Sequence, residues 1–168
     1  MAGKSLTRPM EVGFVTDIYS AEDLAHVPDS KWLLTSGMAG PGTQGHLYAV
    51  DREAKVAHEI FPGGGGIVAG DPSAYDVVKP PDLADFSAVG VGLRLGDGEK
   101  HTLYVVNHGG RSAVEVFAID MAPDVPTATW VGVIPHAPGV LGNAVAPLPD
   151  GGIIATNFMS LEDPSAVE

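Results

Sequence analysis

Residues 101–120, HTLYVVNHGGRSAVEVFAID, admit few folds. Two runs rich in β-branched and aromatic side chains, 102–107 and 113–119, flank a Gly-Gly pair. The second run alternates, with Val114, Val116 and Ile119 interleaved by Glu115 and Ala118. This is the pattern of a β-hairpin, and Gly109-Gly110 can take the positive φ that its tight loop needs. The polar pair Asn107-His108 closes the first strand at the loop mouth, a place where a rigid sheet can present a site. Asn-His before Gly-Gly is also plain turn chemistry, and both readings stand.

The rest of the chain repeats this grammar. It has 168 residues with 22 glycines and 14 prolines, about a fifth of the chain and without a period. Short apolar runs separated by such residues predict an all-β protein rich in turns. At 45% hydrophobic and 18% charged it is globular, with enough length for one domain and its core. Residues 1–11 read as an N-terminal arm, and 12–168 as one unit. Strands are expected at 12–18, 32–36, 46–50, 55–61, 86–95, 102–107, 113–119, 127–134, 141–147 and 153–157. Within Ser20-Ala21-Glu22-Asp23-Leu24, Glu22-Asp23 reads as the start of a turn or a helical cap, ahead of a Pro28-Asp29 turn. Asn143, after Gly142, has a left-handed backbone as one option.

Several function classes fall away. The net charge of −12 opposes binding to nucleic acid or an anionic membrane surface, and fits an acidic soluble surface or attraction for a cation. No apolar run is long enough for a membrane-spanning helix. The N-terminus shows no apolar signal-peptide core, so the default expectation is cytoplasmic. With no cysteine, disulfides, thiolate metal sites and a Cys nucleophile are excluded. The four glycines at 63–66 lack the Gly-Lys-Ser/Thr of a phosphate loop and read as a flexible loop. Gly90, Gly92 and Gly96 have the wrong spacing for a dinucleotide loop.

An internal echo organises the strands. WLLTS, a loop and GHLYAVD match LYVVN, a loop and AVEVFAID: apolar strand, small or polar end, Gly-containing loop, apolar strand ending in Asp. GGIIATN opens a third copy. Repeated antiparallel units of this kind predict a β-propeller, and about ten strands at roughly four per blade make about three blades. A propeller needs more blades to close, so a truncated wheel is expected, its ending LEDPSAVE lacking the character of a capping strand. The polar spots Glu22-Asp23, Asn107-His108 and Asn143 would then converge on a central channel. Their oxygen donors suit calcium.

The order and spacing of Ser20-Ala21-Glu22-Asp23-Leu24, the Ser36-Gly37 loop, LYVVNHGGRSAVEVF, Leu141-Gly142-Asn143 and Thr156-Asn157 resemble the paraoxonase (arylesterase/lactonase) branch of six-bladed β-propellers, related to the senescence-marker/gluconolactonase group. The resemblance spans nearly all of the chain beyond residue 12 and maps onto about the first half of that fold. It implies a calcium-dependent hydrolase of small esters or lactones. Glu22 and Asn143 would be ligands of the calcium, and His108 one of a histidine pair that activates water. The other histidine falls on Val89, which cannot move a proton. Asp23 would serve a second calcium, for which Ala144 lacks the further carboxylate. The remaining ligands would come from later blades or from a second chain or copy completing the wheel, and these 168 residues alone are expected to have little activity. The other reading is a non-hydrolytic propeller, either a binding or scaffold module or a metal-independent relative like strictosidine synthase.

Overall fold

The computed structural model describes residues 12–68, 74–75 and 79–160. Among these the chain is all-β, with no helix. The strands are β1 (Ala21–His26), β2 (Trp32–Gly37), β3 (His46–Asp51), β4 (Val56–Phe61), β5 (Gly66–Ile67), β6 (Ala88–Leu95), β7 (Lys100–Asn107), β8 (Ala113–Asp120), β9 (Thr127–Pro135), β10 (Val140–Pro147) and β11 (Ile153–Ser160). The expected arm at 1–11 lies outside the described residues.

Three sheets form. The first is a four-stranded antiparallel meander, β1-β2-β3-β4. The second runs β5-β9-β8-β7-β6, antiparallel except where the two-residue β5 lies parallel to β9. The third pairs β10 with β11. Short polar turns join neighbouring strands, which is why the pairing is nearly all antiparallel.

The sheets are layered. Phe61 of β4, Phe86 and Phe117 of β8 meet edge to face, with ring centroids 4.8–6.3 Å apart, between the first and second sheets. Leu34, Leu47, Leu103, Ile119 and Trp130 extend that core. A second core of Val89, Tyr104, Val106, Val114, Val116 and Val145 joins the second sheet to the third, with Ile153 and Ala155 packed on it. The middle sheet is thus covered on both faces, and the central β7 and β8 are buried through runs of five residues each.

The internal echo is structural. β2 and β3 pair so that Trp32 faces Asp51, and β7 and β8 so that Lys100 faces Asp120. Each terminal aspartate caps its turn, Asp51 through the Glu53 and Ala54 amides and Asp120 through that of Ala122. Each also pairs with a lysine where the preceding strand begins, Lys31 or Lys100. At the central hairpin Gly110 has φ +69°, and a side chain on Gly109 would collide with the carbonyl of Asp85.

Four expectations are corrected. Residues 12–18 form no strand, because they find no ladder partner. Glu22-Asp23 begins neither a turn nor a cap but lies within the strand β1, which pairs with β2 on either side of it. The glycine run is not all loop: Gly66 enters β5 against Thr129. Asn143 lies within β10 and is not among the positive-φ residues.

Candidate functional site

Three strands, β1, β6 and β10, each form an edge of a sheet, and β6 lies between the other two. Each carries a β-bulge near its start. The register of β1 against β2 slips between Ala21 and Leu24, that of β6 against β7 between Ala88 and Val91, and that of β10 against β11 between Gly142 and Val145. The residues inside the slips are Glu22-Asp23, Val89-Gly90 and Asn143-Ala144. These six together line one cleft of about 230 Å³. A bulge breaks the in-out alternation of a strand and re-aims two side chains, so three bulges in register gather residues 120 positions apart. Gly90 is needed at this seam, because a side chain there would strike the Asn143 carbonyl.

The acids at the cleft have different duties. Asp23 is a fastener: Oδ2 accepts the Val91 amide at 2.9 Å and Oδ1 that of Leu24 at 2.8 Å. Its own amide donates to Ser36 Oγ, and the Ser36 hydroxyl donates to the Val89 carbonyl. Thr35 Oγ1 donates to the Asp23 carbonyl at 2.7 Å. Glu22 and Asn143 are exposed, and neither side chain is engaged among the described residues. Val89 is buried in the second core.

The pair Asn107-His108 divides. Asn107 is fully buried and serves the turn: Oδ1 accepts the Ser87 and Gly109 amides, and Nδ2 donates to the Gly109 carbonyl and Glu115 Oε1. His108 lies beyond the strand and turns towards β10, with Nε2 against the Gly142 carbonyl. A carbonyl only accepts, so Nε2 carries the hydrogen. His108 therefore touches the residue just before Asn143, which ties it to the third bulge.

Sequence reasoning missed His136. It lies in the loop after β9, half-buried, with Nδ1 2.9 Å from Ser112 Oγ. Its ring lies on Gly142, where any side chain would overlap it. Its Nε2 is shielded from solvent and has no hydrogen-bond partner among the described residues. Burial, and then the neighbouring His108, holds its pKa below the ordinary histidine value. One signal was present: Ile134-Pro135-His136 repeats the Phe61-Pro62-Gly63 that ends the first sheet, with a histidine where the first copy has glycine.

A larger cavity of about 530 Å³ lies at the other ends of β1 and β6, among Val27, Trp32, Leu95 and His101. It holds none of Glu22, Asp23, His108 and Asn143. Among the described residues no cluster of three or more His, Cys, Asp or Glu is placed to hold a metal, and no helix is long and apolar enough to cross a membrane. No family model and no curated protein matches this chain.

The cleft fits calcium in the kind of donor it offers. Glu22 supplies a carboxylate and Asn143 an amide oxygen, both unengaged. Calcium takes six to eight oxygens, so these two are part of a shell.

Proposed function

We propose that the three sheets are successive blades of a β-propeller and that the bulge-lined cleft is part of the site of a calcium-dependent hydrolase of small esters or lactones. The observation that carries this reading is the convergence of Glu22 and Asn143, on equivalent bulges of separate sheets, in one cleft. The like placement of the bulges supports blades related by rotation about a shared axis, the way a propeller is built.

When bound, calcium would polarise the substrate carbonyl and favour the negative charge that develops on its oxygen. Glu22 and Asn143 would hold it, and the missing oxygens would come from a second chain, a second copy or further sequence. Asp23 would keep β1 at a fixed distance from β6, so that the cleft does not widen. His108, anchored on Gly142, would take a proton from water beside the substrate.

Val89 favours a second reading. The position in β6 that matches Glu22 and Asn143 is filled by a buried valine, which has no acid, base or ligand chemistry. A metal-independent propeller that binds or scaffolds would need nothing more there.

A thermal melt with and without calcium separates the two, combined with hydrolysis of phenyl acetate and an aliphatic lactone before and after chelation. The hydrolase reading expects calcium to raise the melting temperature by several degrees, an effect lost in Glu22→Gln. It expects any turnover to vanish with chelator. No calcium effect on the melt, or turnover indifferent to chelator, would reject it.

A further inference from the structure

We propose that His136 and Ser112 are positioning residues that fix His108 as its Nε2–H tautomer and so leave Nδ1 as its proton-accepting nitrogen; the catalytic part of this assignment rests on the hydrolase reading above.

The inference starts from Gly142, which two imidazoles share. His108 reaches its carbonyl through Nε2. His136 lies across its α-carbon. The carbonyl can only accept, so the hydrogen of a neutral His108 is on Nε2 and the lone pair is on Nδ1. Anything that holds the Gly142 carbonyl in place therefore decides which nitrogen of His108 is basic. A histidine whose other nitrogen is tied to a backbone oxygen is fixed in both tautomer and ring orientation.

His136 packs on the α-carbon of the residue that bears that carbonyl. Its Nδ1 is tied to Ser112 Oγ, and Ser112 also accepts the His136 amide on its own carbonyl at 3.4 Å. The loop is thereby anchored to the turn that carries His108. Its Nε2 is buried and has no partner among the described residues. A buried N–H without an acceptor is rarer than an under-used acceptor, so the ring is best served with its hydrogen on Nδ1, donated to Ser112. A histidine that stays neutral here leaves the positive charge of the reaction to His108 alone, and its lowered pKa agrees with that.

The step balances as a hydrolysis. Water gives a proton to His108 Nδ1, and its oxygen forms the new bond to the acyl carbon. The bond from that carbon to the alkoxy oxygen breaks, and the departing oxygen takes the proton back from Nδ1. The buried Val89 needs no part in it.

Nitrogen-15 NMR of histidine-labelled protein tests the assignment without any turnover. The wild type is expected to show His108 as the Nε2–H tautomer at neutral pH. His136→Gln is expected to release it to a mixture, and Ser112→Ala to shift it less and in the same direction. Melting curves of both variants establish that they fold, and Ser112→Ala keeps the test open if His136→Gln does not. An Nδ1–H tautomer in the wild type would overturn the proposal, as would a His108 signal unmoved in folded variants. If the wild type hydrolyses phenyl acetate in calcium, kcat should fall about a hundredfold in His136→Gln with KM little changed. Retained kcat there would overturn the positioning role while leaving the hydrolase reading intact. Absence of wild-type turnover would remove the proton-acceptor role together with that reading, and the tautomer result would still decide what His136 and Ser112 do.

Discussion

Glu115 is fully buried, yet both of its oxygens are occupied. Arg111 donates to it twice, from Nε at 2.8 Å and Nη2 at 2.7 Å. Asn107 Nδ2 adds a bond at 3.0 Å and the Trp130 indole one at 2.8 Å. A carboxylate so placed is costly to desolvate and costlier to remove, because its partners would be left buried and unpaired. Glu115→Ala should destabilise the fold by about 3–5 kcal/mol, read as a lowered urea midpoint. Replacing Arg111 and Glu115 together with methionine should recover much of that loss, since no charge is then stranded. This network also explains why Asn107 is unavailable to a site. In the sequence Glu115 looks like the outward residue of an alternating strand. That pattern misleads because the middle sheet has no outward face.

The elements differ in how openly the sequence states them. β7, β8 and β9 are runs of β-branched and aromatic residues, and their positions follow from local preference within one or two residues. β1 does not follow from such reasoning. AEDLAH breaks alternation with two adjacent acids, and its partner across the sheet seam, the amide of Val91, lies 68 positions away. Residues 12–18 fail in the opposite sense, being apolar enough for a strand but without a ladder. Glu22 and Asn143 were legible as oxygen donors at strand mouths. The bulges that aim them were not, because a bulge is set by the neighbouring strand. His136 was hidden for a similar reason: its significance lies in Gly142 and Ser112, not in its own Pro-flanked loop. The seam between the first two sheets gives the element-scale prediction. Asp23→Ala should leave the Val91 amide without an acceptor and destabilise the fold by about 1–3 kcal/mol. Hydrogen exchange should show the Val91 amide protected in the wild type and fast in the variant, with the β7–β8 ladder unchanged. Slow exchange at Val91 in the variant would mean that Asp23 does not fasten the seam.

At the scale of the whole molecule, the three sheets are finished to different degrees. The middle sheet has a neighbour on each face, but the third sheet has only two strands among the described residues. Its Ile153 and Ala155 pack inward, while Ile154 and Phe158, on the opposite face of β11, are 60% and 45% exposed. The far edge of β11 pairs with no strand among the described residues. An apolar face beside an open edge promotes association, through burial and through strand pairing. The net charge of −12 opposes it, because every copy repels every other. The balance depends on salt. At low ionic strength repulsion reaches across tens of ångströms, whereas near 0.15 M it is screened within about 8 Å and short-range burial prevails. Sedimentation velocity should therefore show a smaller species at low salt and a dimer or larger assembly as salt rises. Ile154→Lys should shift that transition to higher salt or abolish it, since it removes apolar area and places a charge on the exposed face. The variant adds a positive charge to an acidic molecule, so Ile154→Glu is the control: it should weaken association at least as strongly. If both variants associate like the wild type, the contact between copies lies elsewhere than on β11.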